Sequence, residues 1–142
     1  SWIERVATNH KVGSSNLSGR AKIIMEIYKE FSIEAAHSLP NVPKGHKCAR
    51  LHGHSFKIRL YVEGAPNEEN GWIIDYADIA KAFETSRKIL DHSHLNEIEG
   101  LNNPTSENLA IWVWSRIVSD FPKLSKVEVK ETCTSGCIYQ GE

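Results

Sequence analysis

Apolar and polar residues alternate over two early stretches of the chain. In EIYKEFSIEAAH, residues 26–37, Ile27, Phe31, Ile33 and Ala35 share one parity, and His37 continues the same face. Period two is the mark of a strand with one side buried. LPNVPKG, residues 39–45, carries two prolines and a glycine and predicts a loop. Residues 52–62 give the clearest strand: His52, His54, Phe56, Ile58, Leu60 and Val62 fall on one face, with Lys57, Arg59 and Tyr61 on the other. After a turn at 66–71, Ile73 and Ile74 mark either a short strand end or the entry to the next element.

The period then changes. Ile79, Ala80, Phe83 and Leu90 form an apolar stripe at helical spacing over 76–90, with Asp75 or Asp78 placed to cap the start. NNPTSE, residues 102–107, predicts a loop followed by a second helix start, where Glu107 in the first turn suits the helix dipole. Leu109, Trp112, Val113 and Ile117 make that helix's buried stripe, and Pro122 closes it. KVEVKE, residues 126–131, alternates again with Val127, Val129 and Glu131 on one side, and Ile138-Tyr139 begins a last short strand. The order is ββααββ. It predicts an α+β fold: a four-stranded antiparallel sheet with two helices on one face.

Composition narrows the class. At 142 residues, with 40% hydrophobic and 25% charged side chains, the chain suits one globular domain. A net charge of −1 points away from nucleic acid and anionic membrane as partners, and no apolar run is long enough to span a bilayer. Residues 1–24 show no sustained period and lack the features of a secretory signal. We expect an added leader there and a single domain over 25–142, beginning at the sole methionine, Met25. Three cysteines, an odd count without an export signal, suggest a reducing, cytoplasmic compartment. Cys133 and Cys137 stand as a possible pair, as joint metal ligands, or as small buried groups.

The densest chemistry lies in KCARLHGHSF, residues 47–56. On a strand, residues two apart point the same way, so His52 and His54 present both imidazoles to one side. If the first two strands are neighbours, His37 joins them. Three nitrogen ligands leave a fourth position open on zinc, the pattern of a catalytic site. The plain alternative is three separately hydrogen-bonded histidines. Cys48, four residues before His52, is open to two readings: a fourth ligand closing the site, or a thiol outside the coordination shell, made acidic by a nearby cation and by Lys47 or Arg50.

A second polar cluster is LDHSHLN, residues 90–96. Asp91-His92 can relay protons or orient a tautomer, or it can simply finish the helix. His94 is given no role. Glu131, on the apolar side of its strand, needs a partner if buried; a ligand with a flat row of N–H donors would serve, and so would water at a strand end.

FSIEAAHSLP (31–40), GHKCARLHGHSF (45–56), GWIIDY (71–76), LDHSHLN (90–96), NPTSENLA (103–110) and VKETCTSGCIYQGE (129–142) together resemble the 6-pyruvoyl-tetrahydropterin synthase superfamily. The likeness is strongest to the branch that forms 6-carboxy-5,6,7,8-tetrahydropterin for queuosine and 7-deazaguanine biosynthesis. The short C-x₃-H-G-H spacing and the terminal ETCTSGC favour that branch; animal pyruvoyl synthases have a longer gap, and a folate-related branch places glutamate near the cysteine.

The resemblance implies a tunnelling fold (T-fold), with trimers stacked into a hexamer and active sites at subunit interfaces. It implies zinc on His37, His52 and His54, and Cys48 as a catalytic thiol rather than a ligand. Asp91 and His92 would form an acid–base pair, and Glu131 would anchor the pterin ring and count with the catalytic proton relay, with Thr105, Ser106 and Glu107 helping to hold the ring. The implied substrate is 7,8-dihydroneopterin triphosphate, cleaved by a zinc-dependent lyase to 6-carboxytetrahydropterin, acetaldehyde and triphosphate. Lys44, Lys47 or Arg50 would meet the triphosphate. Two other functions fit the same residues: a pyruvoyl-type synthase, and a non-catalytic zinc- or pterin-binding protein of this fold.

Overall fold

Strand β1, Met25–His37, lies antiparallel to β2, His52–Gly64, in unbroken register. The computed structural model that shows this describes residues 23–141; the expected leader at 1–24 lies outside them except for Ile23 and Ile24. The register follows from burial. Ile33 faces Phe56 and Phe31 faces Ile58, and a slip of one residue would turn every one of these side chains to the other face. It also sets His37 directly opposite His52, and Ala35 opposite His54.

Helix α1, Tyr76–Leu90, is capped by the Asp75 carboxylate, which accepts the Ala77 N–H at 2.9 Å. Its buried positions, Ile79, Phe83, Ser86 and Leu90, recur every three or four residues and pack over β1; the Phe83 ring lies 4.6 Å from that of Phe31. Helix α2, Ser106–Ile117, begins at Thr105, whose hydroxyl accepts the Asn108 N–H at 3.1 Å. It buries Leu109, Ala110, Trp112, Val113 and Ile117 over β4, Leu124–Thr132, and β5, Ser135–Tyr139. Ile73 and Ile74 belong to neither strand nor helix; they pack on the core from the connection into α1.

Both helices cover one face of the sheet. The core between the layers includes Ile33, Phe56, Ile58, Leu60, Val62, Val127 and Val129, all buried except at most a trace. The opposite face is a polar lattice. Arg59 pairs with Glu30 at 2.9 Å, Tyr61 donates to Glu128 at 2.5 Å, and Lys126 reaches Glu26 at 2.9 Å. One face dry and one wet is what the alternation of both long strands encodes.

The expectation of four antiparallel strands in ββααββ order is corrected in one respect. Among the described residues the sheet has five strands in the order β3-β1-β2-β4-β5, and the added β3, Ser93–His94, falls between the helices and runs parallel to β1. Two residues cannot show a period, and the polar run LDHSHLN carries no apolar signal. The tie is made by hydrogen bonds instead. Ser93 and His94 pair with Ala35 and Ala36. On one side of that pairing, Asp91 Oδ1 accepts the Glu34 N–H at 2.8 Å and the His92 N–H donates to the Glu34 carbonyl at 2.6 Å. On the other, Asn96 Oδ1 accepts the Ser38 N–H at 2.9 Å while its Nδ2 donates to the Ser38 carbonyl at 2.7 Å. The motif therefore stitches the free edge of β1 from Glu34 to Ser38, the stretch that ends in His37.

Candidate metal centre

His37, His52 and His54 meet where β1 ends and β2 begins. Their ring centroids are 4.6, 5.2 and 4.9 Å apart, and the rings meet edge-on with interplanar angles of 63–88°. Gly53 lets the strands close at this point: a Cβ there would stand 3.2 Å from the Ala35 carbonyl oxygen.

Backbone carbonyls fix two of the three tautomers. A carbonyl only accepts, so His37 Nδ1–H donates to Pro104 O at 2.8 Å and His52 Nδ1–H donates to Arg50 O at 2.7 Å. Each ring thus keeps a bare Nε2 lone pair for an ion, the arrangement that outer carbonyls impose on metal-binding histidines. His37 is fully buried, and its Nε2, like that of His54, is buried without a hydrogen-bond partner. An unmatched buried polar atom costs about 1–3 kcal/mol, so the pair calls for a ligand. Burial pushes the His37 pKa below the usual 6.5, against the pull of the Pro104 hydrogen bond, and so keeps the ring neutral and ready to coordinate.

Glu131 supplies a fourth group. It sits where the β4–β5 register shifts: Lys130 pairs with Gly136 and Thr132 with Ser135, leaving Glu131 unpaired as the extra residue of a bulge. Gly136 is needed there, since a Cβ would approach the Val129 carbonyl oxygen to 2.7 Å. The bulge aims the carboxylate at the histidines. One donor atom from each of His37, His52, His54 and Glu131 lies within 4.8 Å of all the others. Glu131 Oε1 is 3.2 Å from His54 Nε2, yet that nitrogen has no partner in hydrogen-bond geometry; the two atoms stand side by side rather than in line. Three imidazoles and a carboxylate suit zinc and its first-row neighbours.

Cys48 is not in that set. It is half-buried and free, in the 3-10 turn Lys47–Ala49. Its N–H donates to His46 Nδ1 at 3.0 Å, and its carbonyl accepts from Leu39 N at 2.8 Å, two residues beyond His37. The loop is thus pinned beside the end of β1 while the thiol stays uncommitted. Lys44, Lys47 and Arg50 are exposed on the same loop.

The remaining candidates separate. Ser106 Oγ donates to Glu131 Oε2 at 2.9 Å, whereas Thr105 is spent on capping α2 and Glu107 lies in its first turn. Asp91 and His92 are outside the histidine cluster. The Glu34 backbone N–H, then His92, hold the Asp91 carboxyl below its ordinary range. His92 Nδ1 is 3.1 Å from Asp91 Oδ2, its backbone is left-handed at φ 57°, and its side chain is 79% exposed, so it reaches outward from this chain. Cys133 is exposed and Cys137 half-buried; both are free, and burial raises the Cys137 pKa. Sequence patterns missed Asn96, His46 and the Pro104 and Arg50 carbonyls. Only the pairing of Asn96 with the LDHSHLN motif hinted at a role, because backbone carbonyls have no sequence signature.

An α+β sheet covered on one side, gathering three imidazoles and a carboxylate at its strand ends, defines a candidate metalloprotein. The chain belongs to the 6-pyruvoyl tetrahydropterin synthase family, whose profile it matches over residues 26–142. It is 44% identical over 119 residues to the 6-carboxy-5,6,7,8-tetrahydropterin synthase of Synechocystis, covering 80% of this chain and 91% of that one. It is 35% identical over 103 residues to the dihydroneopterin monophosphate aldolase of Pyrococcus furiosus, covering 70% and 83%. Its fold is that of the 6-pyruvoyl tetrahydropterin synthase of Caenorhabditis elegans, at a TM-score of 0.77 and 24% identity, covering 87% of this chain and all of that one. Among the described residues, no helix is long and apolar enough to cross a membrane.

Proposed function

We propose that this chain is a zinc-dependent lyase that converts 7,8-dihydroneopterin triphosphate to 6-carboxy-5,6,7,8-tetrahydropterin, acetaldehyde and triphosphate in queuosine biosynthesis. The observation that carries the reading is the gathering of one donor atom from each of three histidines and one carboxylate within 4.8 Å of one another, with the Nε2 atoms of His37 and His54 buried without a partner. The name carried by the 44% identical relative supports the branch.

His37, His52 and His54 would hold the ion. When bound, zinc would supply Lewis-acid polarisation and make the substrate's side-chain hydroxyls more acidic. The protein's own groups then divide the work. Glu131 accepts from the amino and ring N–H groups of the pterin, a charged bidentate match. Cys48, as thiolate, takes a proton from the substrate side chain. His92, oriented by Asp91, moves protons, while Lys44, Lys47 or Arg50 meet the triphosphate. Ser106 acts on the ring through Glu131, and Thr105 and Glu107 shape the helix start behind it. The outward reach of His92 fits a site completed between copies of this chain, in a hexamer of two trimers with T-fold architecture in the cytoplasm.

The test is incubation of the zinc-loaded protein with dihydroneopterin triphosphate, followed by mass spectrometry of the pterin and trapping of the aldehyde. Acetaldehyde with a 6-carboxy product is expected. A 6-pyruvoyl product would assign the pyruvoyl branch, and binding without turnover would make the chain a pterin-binding protein.

A further inference from the structure

We infer that Glu131 has two alternating partners: it is the fourth ligand of the metal in the substrate-free protein, and it leaves the metal to receive the pterin ring. This deepens the reading above and rests on it. Two donors of a tetrahedral zinc, each about 2.0–2.1 Å from the ion, stand about 3.3 Å apart. Glu131 Oε1 and His54 Nε2 are 3.2 Å apart, a spacing that suits neighbouring ligands, and the lack of hydrogen-bond alignment sets the pair apart from a donor facing an acceptor.

Ser106 makes the arrangement reversible. Its hydroxyl holds Oε2 at 2.9 Å, so only Oε1 is offered to the ion and the carboxylate binds through one oxygen. A pterin presenting two N–H donors claims both oxygens. Taking Oε1 opens the fourth position on the metal, where a substrate oxygen can enter. Bulge residues have no ladder partner to hold them, so the swing of Glu131 needs no change in the sheet. The fourth position is therefore closed at rest and opens only when a pterin arrives.

Linkage makes this measurable, because a ring that removes a ligand must weaken the metal, and the metal must weaken the ring by the same factor. The crystal structure of the zinc-loaded full chain without pterin should place Glu131 Oε1 about 2.0–2.2 Å from the ion. Chelator competition should show that saturating 7,8-dihydropterin, the bare ring, lowers zinc affinity about tenfold. Glu131→Gln, which keeps the shape, should bind zinc more weakly than the native protein. Ser106→Ala should keep its zinc and bind the ring less tightly.

A water in the fourth position with Oε1 beyond 3 Å would overturn the inference, as would zinc affinity left unchanged or raised by a ring shown to bind. Failure of the native protein to bind zinc would instead defeat the metal reading itself. Zinc bound normally with no ring binding would defeat the pterin reading, and the pterin-free structure would still decide the ligand.

Discussion

Asn96 grips Ser38 by both its backbone groups, and Ser38 follows His37 directly. Asn96→Ala removes two hydrogen bonds, of 2.9 and 2.7 Å, from a half-buried site. At about 0.5–1.5 kcal/mol net for each, the metal-free protein should lose about 1–3 kcal/mol. With a urea m-value of about 1–3 kcal/mol/M, a loss near the middle of that range lowers the unfolding midpoint by about 1 M. The end of β1 also loses its outer restraint, so His37 can turn away from His52 and His54. Outer partners of metal ligands are worth about 10–100-fold in affinity. A tenfold loss adds about 1.4 kcal/mol to the destabilisation seen in excess zinc, over that seen without it. The assay is urea unfolding with and without zinc at one fixed protein concentration, since a homo-oligomer's midpoint depends on it. Asn96→Asp keeps the acceptor for the Ser38 N–H but faces the Ser38 carbonyl with a second oxygen, and should do no better than alanine. Equal destabilisation with and without zinc would mean that Asn96 holds the fold but does not position His37. A loss below about 0.5 kcal/mol in both would refute the clamp altogether.

His52→Ala should abolish tight zinc binding, whereas Cys48→Ala should keep zinc and lose turnover; metal analysis of both purified variants checks this, and loss of zinc from the cysteine variant would make the thiol a ligand. Gly136→Ala puts a Cβ 2.7 Å from the Val129 carbonyl oxygen, forces the β4–β5 bulge to shift and should weaken ring binding by moving Glu131, while the three histidines, on β1 and β2, still bind metal; unchanged ring affinity would remove the bulge's role. The metal-free protein should lose stability as pH falls below about 6.5, because the unfolded chain protonates His37 at its usual pKa while the folded chain resists until lower pH. The Asp91 contribution is present above its usual 3.8 and is lost as pH falls through its lower folded value, so the two windows separate in pH-dependent urea unfolding. A histidine-free response between pH 7 and 5.5, equal in His37→Asn, would refute the first.

The long elements were legible because each has one buried side. Phe56, Ile58, Leu60 and Val62 alternate with polar neighbours that form the outer lattice, and Ile79, Phe83 and Leu90 recur at the helical period because only one stripe of α1 is covered. The H-x-H pair was legible for the same reason, since strand geometry alone sends His52 and His54 one way. Three things were not legible, and all are made by backbone. β3 is too short for a period and exists through its hydrogen bonds to β1. The bulge at Glu131 changes pairing without changing the alternation of residues 126–131, so the face could be read but not the aim.

The tautomers of His37 and His52 depend on the carbonyls of Pro104 and Arg50, one of them 67 residues away in the chain. Connections of this kind hold the site together from two directions. Pro104, in the loop before α2, grips His37 through its carbonyl, and Ser106, the first residue of α2, grips Glu131. The segment after α1 grips the residues on either side of the β1–β3 pairing. A metal placed among these groups would therefore draw on both helices and three strands. Removing it should loosen the ends of β1 and β2 first, since only His37 is fully buried there, while the Ile58–Val129 and Leu60–Val127 pairs behind them stay closed.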